Sequence, residues 1–168
     1  MHKLWTLGAC IALAYPFTAI GAQSEADRLA IDLAAARAML GHQYSKGPIS
    51  IDPVQGAEGL APSNPGVGKL RSASHTKALA KAISGSVRRY QDVTNCADGQ
   101  THCAMTGVSA HLVLSAPNIR GDTASVTATI YQNAPSNRQP VDYETVVLTL
   151  VRTTHGWTVV KEDQLGIS

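Results

Sequence analysis

The sequence predicts an α+β fold, in which two N-terminal helices pack on one face of an antiparallel sheet of four to five strands. Two observations lead to this prediction. In the first half of the chain, apolar residues recur about every three or four positions, which is helical spacing. From about Ala110 onward they alternate with polar residues, which is the period of a half-buried strand. The change of period places the helices before the sheet.

The first helix is predicted over about Glu25 to Leu40. Ser24 is a favourable N-cap residue, and Asp27 places a negative charge in the first turn. Gly41 ends the helical pattern. The apolar positions that recur at helical spacing are Leu29, Leu33, Ala36 and Leu40.

A connection rich in glycine and proline follows at residues 41–68, which hold six glycines and four prolines. This composition predicts a long surface loop, broken by the extended segment Ile49-Ser50-Ile51, which could form one short strand. A second, alanine-rich helix is predicted over about Ala73 to Ser84, with Leu79 and Ile83 one turn apart.

Alternating residues predict the strands of the sheet. Within the second strand, Val126 is expected to face the core and Thr127 to face water. Between the first two strands, Arg120-Gly121-Asp122 predicts a hairpin turn rather than an integrin-recognition tripeptide. The four segments are Ala110 to Ser115, Thr123 to Tyr131, Val141 to Arg152 and Trp157 to Glu162.

The first 22 residues have the pattern of a secretory signal peptide. Lys3 supplies a basic start, an apolar run follows, and small residues precede Gln23, so cleavage is predicted after Ala22. A lipoprotein-like box ends at Cys10, but the apolar region before it is short, which makes lipidation the minor alternative. The prediction is a single exported domain at residues 23–168, periplasmic or secreted, with no stable membrane span after cleavage.

Cleavage would remove Cys10 and leave Cys96 and Cys103 as the two cysteines of the mature chain. A cysteine pair in an oxidising compartment predicts a disulfide. A metal site would need further ligands at regular spacing, and a redox centre would show the spacing C-x-x-C, so both are disfavoured. The pair is therefore interpreted as a structural crosslink.

Composition argues against one class of function, nucleic-acid binding. The chain has a net charge of +2, and 5% of its residues are aromatic. No basic run longer than Arg88-Arg89 occurs, so neither an electrostatic footprint nor a stacking platform for nucleic acid is present in the sequence. The sequence also contains no motif that assigns a cofactor, a metal site or a catalytic residue.

The C-terminal segment TVVLTLVRTTHGWTVVKED, at residues 145–163, resembles the end of the NTF2-like (SnoaL-like) superfamily. A strand of alternating apolar residues, an arginine, a short turn with glycine and then Trp-x-Val carry the resemblance, which covers the chain from about Val108 onward. The resemblance implies a cone, in which a curved sheet wraps a long helix. Superfamily members include isomerases, cyclases and dehydratases as well as non-catalytic ligand-binding domains, so the resemblance does not determine the function.

Strand alternation predicts an apolar inner wall with two carboxylates, Asp142 and Glu144, at its rim. His111 is placed outside, and His42, His75, His102 and His155 are interpreted as solvated loop residues. The wall and rim residues assigned to binding are Leu112, Leu114, Val126, Ile130, Val146, Leu148, Asp142 and Glu144.

Two functions follow from this site. The first is an exported, non-catalytic domain that binds a small apolar molecule or a protein partner, with a homodimer as an open alternative. The second is a small exported enzyme of the isomerase or dehydratase type that works through Asp142 and Glu144. The absence of an inward-facing histidine favours the first, and a pocket with a buried Asp or Tyr would favour the second.

Overall fold

The computed structural model of the chain describes residues 24–44, 46–56, 68–96, 103–133 and 141–167. The predicted signal peptide, most of the second half of the Gly/Pro-rich connection and His102 lie outside the described residues. Within them the fold is α+β, with a mixed sheet and a few helices.

The described helices are α1 (Glu25–Leu40), α2 (Ala73–Ala82) and α3 (Tyr90–Val93). Helix α1 has the predicted bounds, and the Ser24 hydroxyl accepts a hydrogen bond from the Asp27 amide at 3.1 Å. The phase of its buried face differs from the prediction, because α1 is covered by the sheet and by α2 together. The buried residues of α1 are Ile31, Asp32, Ala35, Ala36 and Met39, whereas Leu29, Leu33 and Leu40 are half-buried at its flanks.

Nine strands are described. They are β1 (Ile49–Ile51), β2 (Ser86–Val87), β3 (Thr94–Cys96), β4 (Cys103–Met105), β5 (Ala110–Leu114), β6 (Asn118–Arg120), β7 (Thr123–Gln132), β8 (Asp142–Thr153) and β9 (Gly156–Ile167). The main sheet has the order β2-β1-β5-β7-β8-β9, with β6 paired beside β7, and β3 and β4 form a separate hairpin.

Strand β1 runs parallel to both of its neighbours, β2 and β5, so the sheet is mixed and the prediction of an antiparallel sheet is wrong in this part. The remaining pairs of the main sheet are antiparallel. A parallel pair requires a long crossover connection, which the residues between β1 and β5 provide. Alternation of apolar residues reveals the strands but not the direction in which distant strands pair.

Helices α1 and α2 cover one face of the sheet, and the hairpin β3–β4 with α3 covers part of the other. His111 is therefore 0% exposed, and the prediction that it lies outside is wrong. Thr127 is 4% exposed, opposite Val147 in the interior of the sheet, so its predicted wet face is also wrong. Strands β5 and β7 are buried on both faces over much of their length because these layers cover both sides of the sheet.

Turns and irregularities of the sheet follow local chemistry. Gly121 has a φ of +61° in the two-residue turn between β6 and β7, as the hairpin interpretation predicts. Strand β9, at the edge of the sheet, contains two register shifts against β8. Each shift leaves one residue without a cross-strand partner, Val160 and Leu165.

In the hairpin β3–β4, Cys96 lies opposite Cys103. This register is compatible with the disulfide, which stays a prediction.

Candidate functional site

The six apolar residues predicted as a binding wall lie in the main core. Their side chains are at most 1% exposed and belong to the cluster that includes Ile31, Ala35 and Met39 of α1. Helix α1 thus occupies the face of the sheet where an apolar ligand was expected. The residues concerned are Leu112, Leu114, Val126, Ile130, Val146 and Leu148.

A cavity of about 470 Å³ opens elsewhere, where the first half of α1 meets the start of α2. Helix α1 contributes Glu25, Arg28 and Asp32 to its wall, and the segment that leads into α2 contributes residues 69–72. His75 of α2 completes the polar lining. The volume lies within the range of small-molecule sites.

A buried ionic network forms one wall of this cavity. His75 Nε2 lies 2.9 Å from Asp32 Oδ2, and Arg71 Nε donates to the same oxygen at 3.3 Å. Arg71 Nη2 also donates to the backbone oxygens of Leu114 and Ser115, at 3.0 and 2.9 Å. The side chains of Arg71 and Asp32 are only 2% and 1% exposed. The network therefore links α1, α2 and the end of β5 in a setting where ionic contacts are little screened.

Local structure explains why these residues meet. The Arg71 amide donates to the backbone oxygen of Pro53, which fixes the chain just before α2. Ser72 is the N-cap of α2, and its hydroxyl accepts from the His75 amide at 3.2 Å. This cap places His75 in the first turn of α2, facing Asp32 on α1. The Ser72 cap thus positions His75, and the backbone hydrogen bond to Pro53 positions Arg71.

Two polar atoms of the network have no hydrogen-bond partner among the described residues. They are Asp32 Oδ1, an acceptor, and Arg71 Nη1, a donor, and both are buried. Leaving a buried polar group unsatisfied costs about 1–3 kcal/mol, and more for a charged group. Most buried polar atoms in proteins are satisfied, so this pair of atoms requires an explanation.

The charges that line the cavity are not balanced. Three lining residues carry positive charge, Arg28, Lys69 and Arg71, against two carboxylates, Glu25 and Asp32. Among the described residues, neither Arg28 nor Lys69 forms an ion pair within 4.0 Å. The Glu25 carboxylate already accepts a hydrogen bond from Ser72 at 3.1 Å. The arginines, lysine and carboxylates of the wall sum to one net positive charge, which favours an anion.

The predicted rim carboxylates lie at a different place, on β8 near its pairing with β9. Glu144 Oε2 lies 2.9 Å from His42 Nδ1, and Glu144 Oε1 accepts from Gln164 at 3.0 Å. Glu162 Oε2 lies 3.2 Å from His42 Nε2. Asp142 is half-buried beside this cluster, and the pKa of Tyr44 is raised first by burial and then by the charge of Asp142. His42 is thus an ion-pair partner, and its interpretation as a solvated loop residue is wrong.

Opposing effects set the pKa of His42. Burial lowers the pKa, but the hydrogen bond and charge of Glu144 and the charge of Glu162 outweigh it, so the pKa lies above its ordinary value of 6.5. A neutral imidazole has one N–H, so both carboxylates receive a hydrogen bond only from the protonated ring. The protonated ring joins the end of α1 to β8 and β9.

A third polar cluster holds the three residue types of a nucleophilic hydrolase. Ser50 Oγ lies 2.8 Å from His111 Nδ1, and His111 Nε2 lies 3.2 Å from Asp52 Oδ2. All three residues are 0% exposed. Asp52 also accepts from the amides of Val54 and Tyr90, at 2.8 and 2.9 Å. A substrate cannot reach this serine, and the cluster connects β1 to its surroundings.

The cavity network is not predicted from the sequence. The sequence predicts a solvated His75, but the residue is buried because the N-cap Ser72 turns it toward α1, so that prediction is wrong. A signal for Asp32 was present. It follows Ile31 and precedes Ala35 and Ala36 on one helical face, so an acidic residue stands within an apolar stripe. Its partner Arg71 lies 39 residues away and no local pattern connects them.

No protein-family model, curated protein or solved structure matches this chain. Among the residues that the structure describes, His, Cys, Asp and Glu form no group of three or more that could hold a metal ion. None of the helices in the described part of the chain combines the length and the apolar character needed to cross a membrane.

Proposed function

We propose that the chain is an exported, non-catalytic ligand-binding domain, and that its ligand occupies the cavity beside Arg71. The observation that supports this proposal most directly is the pair of unsatisfied atoms, Asp32 Oδ1 and Arg71 Nη1, in residues of the cavity wall. Both residues line the cavity, so a ligand that reaches the two atoms removes the cost of leaving them unsatisfied.

The proposal keeps two expectations from the sequence and changes a third. Export rests on the pattern of residues 1–22, and the NTF2-like class rests on the resemblance of residues 145–163 and on a long helix laid against the sheet. The ligand, however, is polar rather than apolar, because α1 fills the apolar face and charged residues line the cavity.

The experiment is native mass spectrometry of protein purified from the exported fraction of its own host. We expect a retained small molecule, released and identified after denaturation. The variant Ala116→Trp places a large ring at an exposed position of the cavity wall and should abolish retention. Ala104→Trp, an exposed alanine of β4 outside the lining, is the matched control and should retain the ligand. A wild-type protein without retained mass, together with equal behaviour of both variants, contradicts the proposal.

A second function, acid–base catalysis, is favoured by the buried Asp32 of the cavity wall, since a pocket with a buried Asp is the feature expected of an enzyme, and by the contact of Asp32 with His75. A carboxylate that orients an imidazole is the arrangement of a general base, and Asp32 Oδ2 lies 2.9 Å from His75 Nε2 in the cavity wall. An enzyme of the isomerase or dehydratase type would then use this pair rather than Asp142 and Glu144, since Asp32 and His75 line the cavity and neither Asp142 nor Glu144 does.

Proton exchange separates the two functions. The retained ligand is incubated with the protein in D2O and its mass is followed. Deuterium incorporated at carbon by the wild-type protein but not by His75→Gln indicates catalysis. A ligand that is bound by both proteins and exchanges with neither favours the binding domain.

A further inference from the structure

We infer that the ligand of this cavity is a small organic anion that also carries hydroxyl groups, of the hydroxy-acid or sugar-acid class. The inference rests on the proposed function and specifies its ligand. Two independent features of the wall lead to it: the excess of positive charge and the chemistry of the two unsatisfied atoms.

The charge of the wall selects an anion. Asp32 is engaged by Arg71 and His75, and Glu25 by the Ser72 hydroxyl, so both carboxylates already have partners within the protein. Arg28 and Lys69 have no ion-pair partner among the described residues. A carboxylate in the cavity would therefore meet a wall with one net positive charge, in a concave site that strengthens its field.

The unsatisfied atoms select hydroxyl groups in addition. Arg71 Nη1 is a donor and needs an acceptor, which a carboxylate provides. Asp32 Oδ1 is an acceptor and needs a donor, which a carboxylate lacks. A hydroxyl group both donates and accepts, so an anion with hydroxyl groups satisfies the two atoms together. An apolar acid would leave Asp32 Oδ1 unsatisfied, and a neutral polyol would leave the positive charge of the wall unmatched.

The test compares three six-carbon compounds by isothermal titration calorimetry at fixed ionic strength. Gluconate carries a carboxylate and hydroxyl groups, hexanoate carries the carboxylate alone, and sorbitol carries the hydroxyl groups alone. We expect gluconate to bind at least about tenfold more tightly than either of the others, since each of them lacks one charge-assisted or hydroxyl contact. Inorganic phosphate, which has the charge but a different shape and no carbon-bound hydroxyl, should bind more weakly than gluconate.

Matched variants locate the binding. The double variant Arg28→Gln, Lys69→Gln removes the two unpaired cations of the wall and should weaken gluconate binding by about tenfold or more. Arg37→Gln, Lys77→Gln removes one exposed cation from α1 and one from α2, outside the lining, and should leave the affinity unchanged. Equal loss in both double variants would show a long-range charge effect and would overturn the inference.

The remaining outcomes separate this inference from the proposed function. Hexanoate, sorbitol or phosphate binding as tightly as gluconate, and lost in Ala116→Trp, overturns the hydroxylated anion but leaves a ligand-binding cavity. A retained native ligand that is neutral or apolar also overturns the hydroxylated anion and leaves a ligand-binding cavity. No binding by any of the four compounds and no retained molecule in native mass spectrometry overturns both.

Discussion

Ser50 and His111 face each other across the parallel pairing of β1 with β5, with Ser50 Oγ 2.8 Å from His111 Nδ1. Asp52 completes the cluster two residues after Ser50, and its carboxylate accepts from two backbone amides as well as facing His111. The cluster thereby fixes the short strand β1, the start of α3 and the buried imidazole relative to one another. Its role is structural, because none of its members is exposed to solvent.

Substitution of Asp52 should be severe. Asp52→Ala leaves two amides and the His111 ring without their buried acceptor, so we expect a loss of about 3 kcal/mol or more in the free energy of unfolding, measured with urea. Ser50→Ala removes one hydrogen bond of the same cluster and should cost about 1 kcal/mol. Similar costs for the two variants would show that the carboxylate is not the centre of the cluster.

The cavity network allows a double-mutant test. Asp32→Leu alone leaves the Arg71 guanidinium buried without its counterion and should cost about 3–5 kcal/mol. Arg71→Met in the same chain removes that uncompensated charge, so the double variant should lose less than the sum of the two single variants. Asp163→Asn, at an exposed position of β9, is the control and should change stability by about 0.5 kcal/mol or less. Additive losses would mean that the two side chains act independently.

The cluster at His42 predicts a pH dependence with a definite sign. Because the folded-state pKa of His42 lies above its ordinary value of 6.5, its stabilising effect is fully present below about pH 6.5 and is lost as the pH rises through the raised folded value. The effect should be about 1 kcal/mol or less, since the ring is partly exposed to solvent. In urea unfolding, the stability difference between wild type and His42→Gln should therefore shrink from about pH 5.5 to about pH 8.5. A difference that grows with pH would contradict the assignment.

Exported protein should carry the Cys96–Cys103 disulfide and begin near Gln23. Its intact mass should then be about two daltons below that of the reduced chain without residues 1–22, because two hydrogens are lost. Closing a loop of about eight residues stabilises the fold by about 2.5 kcal/mol in the chain-entropy model, so reduction should lower the free energy of unfolding by that order. Alkylation of Cys96 in the native, unreduced protein would show that the crosslink is absent.

Both faces of β7 are buried, so the structure predicts that Thr127 does not tolerate a charge, whereas the alternation alone predicts that it does. Val126→Asp and Thr127→Asp should both destabilise strongly, by several kcal/mol, because each places an unpaired carboxylate among buried neighbours. Thr158→Asp, on the exposed part of β9, should change stability by about 0.5 kcal/mol or less. If Thr127→Asp is tolerated, only one face of β7 is buried, as the alternation predicts.

Local signals account for the elements that the sequence predicted well. The hydrogen bond from the Asp27 amide to Ser24 begins α1, and the helix ends just before Gly41, as their residue types indicate. The positive φ of Gly121 forms the hairpin turn that Gly-Asp predicts. Each of these features is determined within a few residues of chain, which is the range over which a pattern can be interpreted.

Features that depend on distant residues were not predictable in the same way. Ile51 pairs with Leu112 in parallel, and the partner of Asp32 lies 39 residues away, so neither contact leaves a periodic signal. His111 alternates with apolar neighbours as an exposed residue would, and it is buried because the hairpin β3–β4 and α3 cover that face. Alternation reports two different faces of a strand, but not whether both faces are covered.

The two unpaired residues of β9 also affect what happens when many copies of the chain meet. An edge strand presents a row of free N–H and C=O groups that can template another strand. Val160 and Leu165 each interrupt the regular spacing of those groups, although their side chains are 57% and 44% exposed. An incoming strand would therefore keep register only over the short segments between them. The irregular edge therefore disfavours edge-to-edge aggregation through the longest open strand of the sheet.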